Sequence, residues 1–293
     1  MSSDHKVYPL DQSPLFKLTT KKRLAALLAL SIGEMQLLAK DANALYSEFD
    51  VLKKSGGVRG VESPHHRLKT VQARIANLLS RIAPPDYLFC PVKGRCYVKN
   101  AAEHLGQRVV HCLDIRKYFP STPSRRIYWF FFSIMQCEKD VASILANLAT
   151  YQGHLPTGSP LSPIMAFFAY SDVWEIIAGY CEVHGYRLTI YIDDVTISGA
   201  SLSPSVLWDV KRAIHGAGLQ YHKERHFVDR PAEITGVIVH REQLLVPNRQ
   251  LKKLRETERD LKQPHSDIHR KKLLERLAGL RAQTSQIATA RHA

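Results

Sequence analysis

The run RLTIYIDDVTIS, residues 187 to 198, places two adjacent aspartates between two segments of alternating apolar and polar residues. Alternation with a period of two is typical of half-buried β-strands, so the run predicts a hairpin with Asp193 and Asp194 at its turn. Aspartate is common in turns, and a hairpin alone would explain it. A divalent cation that neutralises the pair is the alternative. Features elsewhere in the chain are needed to decide between the two.

The composition restricts the possible partners of the chain. Its 293 residues are 45% hydrophobic, enough for one large domain or two to three packed subdomains. The net charge of +14 favours a polyanion such as nucleic acid or a membrane surface. The five cysteines include no Cys-x-x-Cys pair, which favours neither a disulfide framework nor a zinc ribbon. That cysteine content predicts a cytoplasmic protein. The polar N-terminus and the short apolar runs predict neither a signal peptide nor attachment to a membrane.

Helical and strand-like patterns alternate along the chain and predict an α+β fold. Helices are expected within the first forty residues, over KTVQARIANLLSRI, from RRIYWFFFSIM through ASILANLATY, over IMAFFAYSDVWEIIAGYCEVHG and near 204–216. Strands are expected in YSEFDVL, in RVVHCLD, in the aspartate hairpin and as a pair around ITGVIVHREQLLV.

The tail from Asn248 has a different composition, with twelve Lys and Arg against five Asp and Glu. It predicts one or two basic helices, broken at Gln263–Pro264. A solvated charged face is the ordinary explanation for such a segment. Because half of the net charge lies there, contacts to phosphates are favoured as well.

A second strand that ends in a carboxylate would complete a two-metal site. VVHCLD ends at Asp114, although aspartate is a common residue at strand ends. Two metal ions held by Asp114, Asp193 and Asp194 would activate an attacking hydroxyl and stabilise leaving pyrophosphate. Five residues further, Phe119 would lie beneath the sugar of a nucleotide and collide with a 2′-hydroxyl. Core packing is the alternative for Phe119 and its neighbour Tyr118.

Three further segments are candidates for nucleotide contacts. LPTGSPLSP, residues 155–163, predicts a rigid turn before a helix, where Gly158, Ser159 and Pro160 could contact a base pair or a phosphate. A Gly-Gly turn carries Lys53, Lys54 and Arg59, which could hold a triphosphate. Lys223 could serve as general acid toward pyrophosphate. Each basic residue could equally be a solvated surface residue.

The order of these segments resembles that of reverse transcriptases, from about Pro9 to the end of the chain. Two stretches are similar to the retron branch of that family: NAAEH, which contains Asn100 and His104, and ITG, residues 234–236. The resemblance implies a right-hand fold with an antiparallel palm sheet. It implies N-terminal helices and fingers over 1–105, a palm over 106–232 with interleaved fingers helices, and a basic thumb over 233–293.

The resemblance also implies an activity and its partners. The chain would copy a cognate structured non-coding RNA into short branched single-stranded DNA, using deoxynucleoside triphosphates and two Mg²⁺ ions. Priming from a guanosine 2′-hydroxyl, an antiphage role and an accessory effector protein are implied by the family. RNA contacts are expected at Asn100 and His104, and in the thumb at the cations Lys252, Lys253 and Arg255.

Two positions depart from the family pattern. Ile192 replaces a usual alanine, and Thr157 replaces a usual glutamine; both positions lie near primer or nucleotide in the family.

Two other functions are alternatives to this one. An abortive-infection type polymerase without template should lack the segment Asn100–His104. A non-catalytic RNA-binding scaffold would have no reason to keep three converging carboxylates.

Overall fold

The computed structural model describes residues 7–52 and 56–290. Its α-helices are α1 (Lys21–Leu28), α2 (Ile32–Lys40), α3 (His66–Leu79), α4 (Tyr97–Ala102), α5 (Ser124–Trp129), α6 (Lys139–Ala149), α7 (Ser162–Ala169), α8 (Ser171–Val183), α9 (Pro204–Gly216), α10 (Asn248–Asp260) and α11 (Asp267–Thr289). None of the helices in the described ranges is both long and apolar enough to cross a membrane.

The β-strands are β1 (Tyr46–Leu52), β2 (Val58–Pro64), β3 (Leu88–Cys90), β4 (Val109–Ile115), β5 (Arg187–Tyr191), β6 (Asp194–Gly199), β7 (Tyr221–Val228), β8 (Ala232–Ile234), β9 (Val237–His240) and β10 (Gln243–Leu245). They form a hairpin of β1 and β2, a five-stranded sheet of order β3-β5-β6-β4-β7, and a three-stranded sheet of order β10-β9-β8. Helices and strands together confirm the predicted α+β class.

The chain divides into two compact units, each made of several segments. The first comprises the described part of Met1–Asp86 with Ile115–Ile177 and Val210–Tyr221. The second comprises Tyr87–Asp114 and Ala178–Asp209 with the described part of His222–Ala293. The division into fingers, palm and thumb at residues 105 and 232 stays a prediction, because compactness alone does not define those functional regions.

The first unit contains the β1–β2 hairpin and most of the helices. Thr20 caps α1, because its side chain accepts a hydrogen bond from the backbone of Arg23. The single helix predicted over IMAFFAYSDVWEIIAGYCEVHG is wrong, since α7 and α8 are separated at Tyr170. The hydroxyl of Tyr170 donates to the carbonyl of Ser121, and Arg126 lies over its ring. These tertiary contacts hold Tyr170 outside the helical conformation.

The second unit contains the five-stranded sheet, which is mixed and not purely antiparallel as predicted. Strand β6 pairs antiparallel with β4 and β5, whereas the short strand β3 pairs parallel with β5. The strand pair predicted around ITGVIVHREQLLV is instead three strands, β8 to β10. Two tight turns make the extra strand possible: Thr235 and Gly236 have positive φ in the first, and Arg241 has positive φ in the second.

The three-stranded sheet and the C-terminal helix share a core with α4 and β4. Its apolar members include Val98, Val110, Val237 and Ile287. The tail forms two helices as predicted, α10 and α11, with Gln263–Pro264 between them. Because Ile287 of α11 is fully buried in this core, α11 is anchored to the unit that carries the aspartates.

Candidate active site

The predicted aspartate hairpin is confirmed. Strands β5 and β6 pair antiparallel up to Tyr191 and Asp194, which leaves Ile192 and Asp193 as a two-residue loop. Ile192 has a φ of 58°, in the left-handed region. A β-branched side chain is unfavourable there, at a cost of about 1–3 kcal/mol. The hairpin therefore holds Asp193 at its tip and Asp194 as the first residue of β6.

Asp114 lies directly opposite this hairpin. In the register of β4 against β6, Asp114 is the partner of Asp194. Side chains of directly opposed residues on antiparallel strands lie on the same face with Cβ atoms about 4.5–5.5 Å apart. Asp114 and Asp194 therefore lie side by side at one end of the sheet, with Asp193 in the adjoining turn.

The electrostatics of the site show that these carboxylates repel one another. Burial, and after it the negative charges of Asp193 and Asp114, raise the pKa of Asp194 from its usual value of 3.8 to about 6. Arg225 and Lys223 act in the opposite direction and only partly offset the shift. The site thus concentrates negative charge that a bound cation would relieve.

Strand β7 supplies two nitrogen-bearing side chains beside Asp114. The Lys223 Nζ atom lies 3.0 Å from Oδ2 of Asp114, and the His222 Nδ1 atom lies 3.4 Å from Oδ1. The sequence indicates Lys223 but not His222. The single sequence signal for His222 is its position next to Lys223 on a strand, and the pairing of β7 beside β4 is a long-range contact that local patterns do not reveal.

The donor atoms of the site fit a hard divalent cation. Carboxylate oxygens are the ligands that Mg²⁺ prefers in proteins, and Asp114, Asp193 and Asp194 supply them. Within the described ranges no group of three or more His, Cys, Asp or Glu side chains is already gathered for a metal ion. Asp114 is held by Lys223 and His222 instead. The chemistry of the donors therefore matches Mg²⁺.

His104 does not offer its side chain to RNA, contrary to the prediction. The ring is 0% exposed, Nδ1 is 2.6 Å from Oγ of Ser198, and Nε2 is 2.8 Å from Oγ1 of Thr189. Burial lowers the pKa of His104 to about 3, so the ring is neutral at physiological pH. Since Thr189 lies on β5 and Ser198 on β6, His104 connects both strands of the aspartate hairpin.

Asn100 is also buried, with 1% of its surface exposed, and a direct RNA contact by its side chain is not supported. Its Nδ2 atom donates to Oγ1 of Thr235 at 3.3 Å, and Thr235 donates to the carbonyl of Tyr97 at 3.1 Å. The two segments with retron resemblance, NAAEH and ITG, thus contact each other. Their observed roles are to join α4 to the turn between β8 and β9.

The Gly-Ser-Pro turn in the first unit is rigid, as predicted. The backbone N–H of Gly158 donates to the carbonyl of Glu62, and a Cβ at Gly158 would lie 2.6 Å from that oxygen. The hydroxyl of Ser159 is buried and donates to Oε1 of Gln72 at 2.7 Å. The predicted ligand contact by Ser159 is therefore not supported, because its hydroxyl is directed inward. Pro160 is partly exposed.

Tyr118 and Phe119 differ in burial. Tyr118 is a core residue whose hydroxyl donates to the carbonyl of Ala166 at 2.9 Å. Phe119 is partly exposed and stacks on Tyr118 with ring centroids 6.0 Å apart. Core packing is therefore sufficient to explain an aromatic residue at Tyr118, whereas part of the Phe119 ring is accessible to solvent.

The predicted basic residues are exposed where the structure describes them. Arg59 lies on β2 of the first unit, whereas Lys53 and Lys54 fall outside the described residues. Lys252, Lys253 and Arg255 are exposed on α10 of the second unit. A cavity of about 630 Å³ lies along α10, and its lining residues include Arg249, Lys252, Arg255 and Arg259.

Carboxylates at the ends of paired strands are suited to the two-metal sites that polymerases, nucleases and phosphatases use. Comparison with curated proteins agrees with this class. The chain is 28% identical over 201 residues to the retron Se72 reverse transcriptase of Salmonella heidelberg (strain 579083-10). It is 30% identical over 250 residues to the retron Mx65 reverse transcriptase of Myxococcus xanthus, and 25% identical over 237 residues to the retron Ec86 reverse transcriptase of Escherichia coli. The chain is therefore related to the retron-type reverse transcriptases, and the resemblance predicted from its motifs is confirmed.

These matches cover most of this chain but less of the relatives. They include 68%, 75% and 77% of the chain, and 53%, 58% and 73% of the Se72, Mx65 and Ec86 proteins, respectively. The chain thus spans little more than half the length of the first two relatives. No protein-family model matches it.

Proposed function

We propose that the chain is an RNA-directed DNA polymerase of a retron, which copies a cognate structured non-coding RNA into short branched single-stranded DNA. The observation that carries the proposal is the register that sets Asp114 opposite Asp194, with Asp193 in the adjoining turn. The similarity to three retron reverse transcriptases supports the choice of template and product class.

Asp114, Asp193 and Asp194 would hold two Mg²⁺ ions. When bound, such ions activate the attacking hydroxyl and stabilise the leaving pyrophosphate. The protein contributes a rigid hairpin for two of the carboxylates and a paired strand for the third. Because the pKa of Asp194 is about 6, its carboxylate is charged and able to bind a cation at neutral pH.

Lys223 would serve as the general acid toward pyrophosphate. Its ammonium group is held 3.0 Å from Asp114, so a proton donor lies at the edge of the carboxylate cluster. His222 also contacts Asp114 and would help to orient that carboxylate. The Lys223 ammonium compensates part of the negative charge before substrate arrives.

The incoming deoxynucleoside triphosphate would contact the first unit. In this proposal Lys54 and Arg59 bind the triphosphate, while Gly158 and Pro160 line the nucleotide. Ser159 positions that turn through Gln72 and does not touch the ligand. The partly exposed ring of Phe119 would exclude a 2′-hydroxyl and so select deoxynucleotides.

The RNA would contact the basic helix α10 through Lys252, Lys253 and Arg255. Such recognition would depend on shape and backbone phosphates, as is usual for structured RNA. Priming from a guanosine 2′-hydroxyl, an accessory effector and a role in antiphage defence complete the proposal. These parts rest on the family alone.

Expression with the native flanking DNA, followed by extraction of small nucleic acids, tests the proposal. The wild-type chain should yield a short single-stranded DNA that becomes smaller after RNase or debranching treatment. Asp193→Asn should yield none, while a matched variant at an exposed aspartate, Asp11→Asn, should yield as much as wild type. Circular dichroism of the purified variants controls for folding.

Two other results would contradict the proposal. If only RNA is recovered with wild type and with Asp193→Asn alike, the chain is an RNA-binding scaffold. If DNA accumulates without any flanking locus, the chain is an untemplated polymerase. Near wild-type synthesis by Asp193→Asn would remove Asp193 from the catalytic set.

A further inference from the structure

A second basic cavity, of about 380 Å³, lies in the second unit. Three loops line it: residues 106–108 before β4, residues 229–230 after β7, and residues 240–242 at the turn between β9 and β10. Val110 and Val239 complete its lining. Arg108 and Asp114 are separated by six residues of an extended strand, which corresponds to about 20 Å. This cavity is therefore separate from the carboxylate site.

Two arginines of the cavity are held in place by the protein itself. Arg108 forms two parallel hydrogen bonds to the carboxylate of Asp229, at 3.0 and 2.8 Å, and its carbonyl accepts the backbone N–H of Asp229. Arg230 donates to the carbonyl of His226 and lies 5.2 Å from the ring centroid of Phe227. Such tethered cations lose little conformational entropy when a ligand binds.

Arg241, the third arginine, has a fixed backbone and an uncommitted side chain. It lies in the two-residue turn between β9 and β10 with a φ of 54°, and its carbonyl accepts the N–H of Gly106. The carboxylate of Glu242 packs so closely over Gly106 that a Cβ there would be 2.6 Å from it. Across the two described ranges, the Arg241 guanidinium has no hydrogen bond or salt bridge, although its charge helps to lower the pKa of Asp229.

We propose that this cavity binds a phosphodiester of the RNA backbone, with Arg241 as the contacting cation and Arg108 and Arg230 beside it. Three arginines against the two acidic side chains Asp229 and Glu242 leave the cavity positive. The planar guanidinium group matches the oxygens of a phosphate. The identity of the anion as RNA rests on the proposed function. The separation from Asp114 distinguishes this contact from the incoming nucleotide.

The salt dependence of RNA binding tests the assignment. The dissociation constant of a labelled RNA hairpin is measured by fluorescence anisotropy between about 0.1 and about 0.4 M KCl. Wild type is compared with Arg241→Asn, which suits the left-handed backbone, and with Arg241→Lys, which keeps the charge. The matched control is Arg23→Gln, which removes an exposed arginine from α1.

Arg241→Asn should lower the slope of log K against log salt by about 1 and weaken binding about eightfold at 0.1 M salt, since each phosphate contact contributes about 0.9 to the slope. Arg241→Lys should keep the wild-type slope, and Arg23→Gln should change neither quantity. The assignment is refuted if Arg241→Asn behaves like Arg23→Gln, or if Arg241→Lys loses the slope as fully as Arg241→Asn does.

Failure of this assignment can be told apart from failure of the proposed function. DNA synthesis by the wild-type chain on a primed RNA template tests the polymerase alone. DNA synthesis by wild type, together with an unchanged salt-dependence slope in Arg241→Asn, would refute the phosphate site only. A changed slope in Arg241→Asn, when the wild-type chain makes no DNA, would support the phosphate site and refute the polymerase.

Discussion

Replacement of Asp194 by Asn should stabilise the protein in the absence of metal. In the folded chain the pKa of Asp194 is about 6, compared with an ordinary value of 3.8, first because of burial and then because of Asp193 and Asp114. A carboxyl group whose pKa is raised by folding opposes folding once it is charged. Its unfavourable effect is absent below pH 3.8, grows as the pH rises toward 6 and is complete above it.

The size of the effect follows from this shift in pKa. One pKa unit corresponds to 1.36 kcal/mol, so the difference between 3.8 and about 6 gives about 3 kcal/mol at pH 8. At pH 4.5 the same linkage gives about 1 kcal/mol. Both figures are upper limits, because Asp194 is only partly buried and solvent screens part of the repulsion. Asparagine has the same shape and lacks the charge.

Urea unfolding followed by circular dichroism at pH 4.5 and pH 8, without divalent cations, measures the difference between wild type and Asp194→Asn. Asp11→Asn, at an exposed aspartate, is the matched control and should change the free energy of unfolding little at either pH. Added Mg²⁺ should stabilise wild type more than Asp194→Asn, because ligand binding to the folded state raises stability. A variant that is less stable than wild type at pH 8, or a gain that does not depend on pH, would refute the reasoning.

Three further predictions concern side chains that support the site. His104→Phe should lower the free energy of unfolding by about 2–4 kcal/mol, because Ser198 and Thr189 lose their buried hydrogen-bond partner. Urea titration measures the loss, with His66→Phe, at an exposed helix position, as the control. Gly158→Ala should destabilise the protein, because the added Cβ would clash with the carbonyl of Glu62. Gly179→Ala, with open space around it in α8, should instead stabilise the protein by about 1 kcal/mol. No change in stability for Gly158→Ala would contradict the observed close contact. Phe119→Ala should let ribonucleotides compete with deoxynucleotides in primer extension, and unchanged sugar discrimination would return Phe119 to a packing role.

Local patterns predicted the parts of the site that depend on local structure. The alternation around Asp193 and Asp194 specifies a hairpin, and its register then follows from the two-residue turn. The apolar run before Asp114 specifies a buried strand. The pairing of β4 with β6 is long-range: the sequence predicted that carboxylates from two strands would meet, but not that these strands pair directly with Asp114 opposite Asp194.

The parts that sequence reasoning missed depend on contacts between distant segments. His222 reaches Asp114 because β7 lies beside β4, and no periodicity in the sequence encodes that neighbour. The inward direction of Ser159 depends on Gln72, a buried residue in the middle of α3. In both cases the residue type was compatible with several environments, and tertiary packing selected one.

The two segments that resemble retron enzymes serve in this structure to support the carboxylates. His104 bonds to both β5 and β6, and its ring is neutral because burial lowers its pKa to about 3. Asn100 connects the same short helix to the turn at Thr235. A charged or solvated residue at either position would leave polar groups without partners in the core. The family resemblance at Asn100 and His104 therefore concerns how the aspartate hairpin is held in place, not a contact of these two side chains with RNA. The exposed arginines of the second unit are better candidates for contact with RNA than either residue.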